Sequence, residues 1–160
     1  MLYLGAFAVI LAAFMTWKEY TSFLNRELRG CRAFVRALEN YREKMVCYLD
    51  SPRTWALEYC DELLLECGFL GELRAGIDIS DAYIKSRSSV YPGDEADEIL
   101  DKCFRRLGDG YLDMERGVLD SVIERLKEIE AGMIGEYTRR SKAAGALLGA
   151  CAVGTVIMIV

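Results

Sequence analysis

Asp94, Glu95, Asp97, Glu98 and Asp101 crowd one short stretch of this chain. Carboxylates at such density can act as general acid and base, hold a divalent cation, or present a negative surface to a basic partner. Behind them Ala96, Ile99, Leu100, Cys103, Phe104 and Leu107 recur at helical spacing, so the acids sit on a helix and favour its N-terminal dipole. The plainest reading of the run is a solvated helix face. Its functional reading is a docking surface, carried by Asp94, Glu95, Asp97 and Glu98. A second group, Asp109, Asp113 and Glu115, lies in a glycine-containing turn. It lacks the late bidentate glutamate of an EF-hand, and acids just ahead of a helix serve as caps, so no metal site is assigned.

Other chemistry is sparse. The chain has no histidine, which removes the commonest general base and metal ligand. It has no P-loop, no G-x-G-x-x-G and no G-x-S-x-G. No catalytic residue and no cofactor is assigned, and the chain is read as a non-enzyme. Cys31, Cys47, Cys60, Cys67, Cys103 and Cys151 include no C-x-x-C pair and are read as reduced, buried small hydrophobes. A net charge of −5 argues against nucleic acid as a partner.

The elements that must carry these residues are helices. Pro52 and Pro92 are the only prolines, and apolar positions recur at three and four rather than alternating, so the expected class is all-α. Leu24, Leu28, Cys31, Val35, Leu38, Met45 and Leu49 form one seam of a long first helix that Arg42 interrupts. Ser51–Pro52 pairs an N-cap with a favoured first helical residue, opening a helix expected to run to about Cys67 and to stop at Gly68. That helix should bury Trp55, Tyr59, Leu63 and Leu64. A short helix over Phe69–Ala75 stops at Gly76, and Ser80 is expected to cap another carrying Ala82, Tyr83 and Ile84. The acidic helix follows over Glu95–Leu107 and closes at Gly108–Gly110. Leu112, Leu119, Val122, Leu126, Ile129 and Met133 then form an a/d seam on a long last helix, antiparallel to the first.

Both ends are apolar and free of charge. Met1–Trp17 and Ala143–Val160 contain no Asp, Glu, Lys or Arg. Each run would span roughly 26 Å as a helix, just enough for a hydrocarbon core. Leu2–Tyr3–Leu4 supplies no basic n-region, so the first run is read as a retained span rather than a signal peptide. Three segments follow: a span at 1–17, a helical domain at 18–142 and a span at 143–160. Lys18, Arg26, Arg29, Arg32 and Arg36 flank the first run, and Arg125, Lys127, Arg139, Arg140 and Lys142 flank the second, all on the domain side. The positive-inside rule places the domain in the cytoplasm and both termini outside. Charge also grades along the domain: Lys18–Leu49 carries +3, Asp50–Asp120 carries −9 and Ser121–Lys142 carries +1. Within the second run Gly145 and Gly149 form a G-x-x-x-G, a spacing that lets membrane helices approach closely.

This layout resembles the stage III sporulation protein AB family of endospore formers along nearly the whole chain. The carriers are the N-terminal apolar run, Arg32, Arg36 and Leu38 before the break at Ser51–Pro52, and Trp55–Ala56–Leu57. Gly76–Ile77–Asp78–Ile79–Ser80 with Ala82–Tyr83, Leu107–Gly108, and Arg139–Arg140–Ser141–Lys142 before a glycine-rich end complete the match. Tyr83 stands where the family often has tryptophan, and Asp109–Gly110 where it commonly has Ser–Asp. The resemblance implies a subunit of the channel or secretion-like apparatus between mother cell and forespore, in the mother-cell membrane facing the forespore. It implies a domain similar to that of the type II secretion platform protein F. The partners it implies are the stage III sporulation ATPase AA and other channel subunits. The alternative is a platform subunit of another type II secretion or pilus-like system.

Overall fold

The computed structural model describes the backbone of residues 2–48, 51–107 and 112–159, and side chains at 11–12, 14–45, 51–107, 114–147, 150 and 154. The chain is all-α, with no strand among the described residues. Its helices are α1 (Leu2–Tyr48), α2 (Pro52–Glu58), α3 (Glu62–Glu66), α4 (Phe69–Arg74), α5 (Ile79–Ser86), α6 (Asp94–Phe104) and α7 (Leu112–Ile159). Two compact units divide them, one of Arg26–Ala131 and one of Met1–Asn25 with Gly132–Val160.

The Arg26–Ala131 unit is built around α1. Cys31, Ala33, Phe34, Val35, Ala37, Leu38, Tyr41 and Met45 are all buried, a wider face than the single expected seam. The reason is that α1 is covered from two sides, by the short helices and by α7. Phe34 meets Phe69 and Tyr83 edge-on, at centroid distances of 5.5 and 5.3 Å, and Phe104 completes this cluster. One ring thus ties α1 to α4, α5 and α6, an arrangement that aromatic quadrupoles favour. Trp55 packs between Tyr41 and Tyr59, and its Nε1 donates to Asn40 Oδ1 at 2.9 Å.

On the other side α7 contributes Leu119, Ile123 and Leu126. Arg42 pairs with Asp120 at 2.7 Å, Glu39 with Lys127 at 2.5 Å and Arg32 with Glu130 at 2.8 Å. Residue numbers fall along α7 as they rise along α1, so the two run antiparallel here. The buried position between Leu119 and Leu126 is Ile123, whereas Val122 is half-exposed. The a/d seam is one residue out of phase at that point.

Several helix boundaries agree with the sequence reading. Ser51 accepts from Thr54 N at 3.3 Å ahead of Pro52, and Gly68 and Gly76 both take φ +87°, which favours glycine. Two boundaries differ. The helix expected from Pro52 to Cys67 is two helices, because Tyr59 is extended and Asp61 caps α3 by accepting from Leu64 N at 3.2 Å. Arg74 stabilises the break by donating to the Ala56 and Tyr59 carbonyls at 2.8 and 3.0 Å, filling acceptors that end α2. Asp78 rather than Ser80 caps α5, accepting from Ser80 N at 3.0 Å, and Ile84 is exposed.

In the other unit, α1 and α7 pack through Trp17, Tyr20, Leu24, Tyr137 and Ala144, with the Arg140 guanidinium 5.5 Å from the Tyr20 ring centre. Leu11, Phe14, Met15, Phe23 and Leu147 are exposed. Among the described residues no helix is long and apolar enough to cross a membrane. The side chains of residues 1–10, and most of those after 147, lie outside the described set.

Candidate docking surface

Helix α6 divides its acids between two environments. Asp94, Glu95 and Glu98 are exposed, while Asp97 is buried at 5% exposure. Asp97 accepts from the Tyr83 hydroxyl at 2.7 Å and pairs with Arg87. Burial first, then the hydrogen bond and charge of Asp97, hold the Tyr83 phenol well above the ordinary tyrosine range. Asp97 is therefore a structural acid that joins α5 to α6 and does not belong to the exposed face proposed from the sequence. Spacing carried the clue: Asp97, Leu100 and Phe104 are three and four apart, which puts Asp97 on the apolar stripe.

The remaining acids have weak local partners. Glu95 pairs with Arg125 at 2.7 Å, and Arg125 also holds Glu128 at 2.8 Å. Glu98 pairs with Lys102 one turn on at 2.6 Å, both side chains being largely exposed. Asp94 accepts from the Tyr91 hydroxyl, which together with burial raises the Tyr91 phenol to about 12. Exposed pairs of this kind contribute about 0–1 kcal/mol, so an incoming cation can replace Arg125 or Lys102 at little cost. Glu27 on α1 extends the surface. Its carboxyl is raised by partial burial and then by the charge of Asp94, so the two acids share one neighbourhood.

Arg29, Arg32 and Arg36 line a cleft of about 660 Å³ opposite Asp61, Glu62 and Glu66. Arg36 reaches Asp61 at 3.4 Å, and three cations facing three acids leave the cleft close to neutral. Their spacing of three and four along α1 is visible in the sequence and puts all three on one side of the helix.

The glycines expected to pack within a membrane are less informative. A Cβ added at Gly145 would meet nothing within 4 Å, and the surroundings of Gly149 lie outside the described residues. Gly30, which the sequence did not single out, is the tight position: a Cβ there would lie 2.9 Å from the Tyr91 carbonyl oxygen. Asp109 and Asp113 of the second acidic group also lie outside the described side chains, as do Cys47 and Cys151. Among the described residues no group of acids, cysteines or histidines could hold a metal ion. Compared with known proteins, the chain matches no family model, no curated protein and no solved structure.

Proposed function

We propose that this chain is a non-enzymatic membrane subunit whose helical unit is a docking platform for a cytoplasmic motor. The observation that carries the reading is the acid surface of exposed Asp94, Glu95 and Glu98 with half-buried Glu27, on a unit bracketed in sequence by two charge-free apolar ends. The basic flanks of those ends favour a cytoplasmic domain with both termini outside. An anionic inner leaflet attracts such flanks and repels the acidic segment, which leaves the acids free for a protein partner.

The resemblance described above supplies the context. In it the platform belongs to the mother cell–forespore apparatus, and the motor is the stage III sporulation ATPase AA, with other channel subunits as neighbours. Co-purification of the full chain with that ATPase from solubilised membranes tests the reading. The expected result is retention at low salt that falls steadily as ionic strength rises, because exposed charges separated by more than about 10 Å are screened at 0.1 M. Absence of the ATPase from the purified chain at every salt concentration would contradict it.

A further inference from the structure

The unit formed by Met1–Asn25 with Gly132–Val160 contains a cleft of about 240 Å³ whose walls are almost wholly apolar, from Trp17, Leu24, Ala144 and Leu147 among others. Two polar groups stand out there. Trp17 Nε1 is shut off from solvent and has no hydrogen-bond acceptor among the described residues, so the ring presents carbon to the cleft. The second group is Arg140, which lines the cleft while its guanidinium lies over the Tyr20 ring.

The local charge is positive. Arg139 and Arg140 share the single carboxylate of Glu136, at 3.6 and 3.1 Å, so that turn keeps a net cation with unused N–H donors. Lys18 and Lys142 add to it and only Glu19 opposes. Phe14, its ring tilted against Trp17 at a centroid distance of 5.8 Å, and exposed Leu11 and Met15 continue an uncovered apolar surface on the N-terminal side of Trp17. The volume is below the roughly 300–1,000 Å³ of sites that enclose a soluble ligand. It suits part of a longer amphiphile.

We propose that this cleft seats one anionic phospholipid, with a stretch of acyl chain against Trp17 and Leu147 and its phosphate on Arg140. The occupant is a lipid rather than a soluble phosphate because the walls are apolar and the cation stands beside them. The inference rests on the membrane reading above and makes it specific to headgroup charge.

The test uses the full chain in a mild non-ionic detergent with equimolar phosphatidylglycerol and phosphatidylcholine of identical acyl chains, read by native mass spectrometry. The parent should retain phosphatidylglycerol about fivefold over phosphatidylcholine, the preference one surface cation gives at an anionic membrane. Arg140→Gln should bring the ratio to near parity, and Leu147→Ser, which removes part of the apolar wall at an exposed position, should lower total lipid retention. Arg106→Gln, on the other unit, should change neither. Parity in the parent, an undiminished preference in Arg140→Gln, or only lipid-free dimers (a second copy in the cleft) would overturn the proposal. Flotation with mixed vesicles separates the two ideas. A parent that floats but shows no preference leaves the membrane reading standing, whereas a parent that does not float removes both.

Discussion

At the scale of single residues, environment rather than residue type decides what each acid of α6 does. Asp97→Asn keeps the shape but weakens the contacts to Tyr83 and Arg87, so it should destabilise the chain by about 1–3 kcal/mol. Glu98→Gln should stay within about 0.5 kcal/mol of the parent, since its pair with Lys102 is exposed. Denaturant titration of both variants checks the contrast. That all five acids share one helix was legible from spacing. The burial of Asp97 is legible from the same spacing only when its phase on the helix is weighed above its charge. The cysteines divide in the same way. Burial, mainly, pushes the Cys31 thiol up from 9.0 to about 11, and burial alone pushes Cys103 up to about 12, whereas Cys60 is exposed. The thiolate is the reactive form, so iodoacetamide at pH 8 should modify Cys60 well before Cys31 or Cys103, as peptide mapping would report. For the two buried thiols the folded state holds protons that the unfolded state releases. Their contribution is therefore fully present below pH 9, and stability should fall as pH rises from about 9 toward 12.

At the scale of elements, the sequence marked starts and stops better than it marked breaks. Ser51–Pro52, Gly68 and Gly76 announce themselves because capping and left-handed backbone need particular residue types. The break between α2 and α3 does not, since it depends on Arg74, distant in sequence, reaching the Ala56 and Tyr59 carbonyls. The closeness of Gly30 to Tyr91 is equally non-local. Gly30→Ala must push that backbone away and should cost about 1–3 kcal/mol even though alanine is the better helix former. A gain in melting temperature would show that the α1 contact is looser than described. On the opposite side Leu126 is fully buried, and its carbonyl lies 3.8 Å from Cys31 Sγ. Leu126→Ala should cost about 2–5 kcal/mol by the same denaturant measurement. A loss below about 0.5 kcal/mol would remove α7 from the core.

At the scale of the whole molecule, charge is sorted along the chain: basic next to the apolar ends and strongly acidic between them. This sorting, together with the all-α class and the two long antiparallel helices, was readable from sequence alone because each depends on periodicity and composition. The acid surface proposed for docking was readable only in part, since it gains Glu27 and loses Asp97 once the helices are assembled. If the exposed acids receive a cytoplasmic partner, reversing their charge must break that contact. The most direct test is retention of the stage III sporulation ATPase AA by a full chain carrying Asp94→Lys, Glu95→Lys and Glu98→Lys, with Asp97 left intact to preserve the α5–α6 contact. Neutral Asn and Gln replacements at the same three positions separate charge from shape, and circular dichroism and flotation establish that each variant is folded and inserted. Loss of the ATPase from the lysine variant at low salt and intermediate retention by the neutral one are expected. A folded, inserted lysine variant that retains the ATPase as well as the parent does would rule the docking surface out.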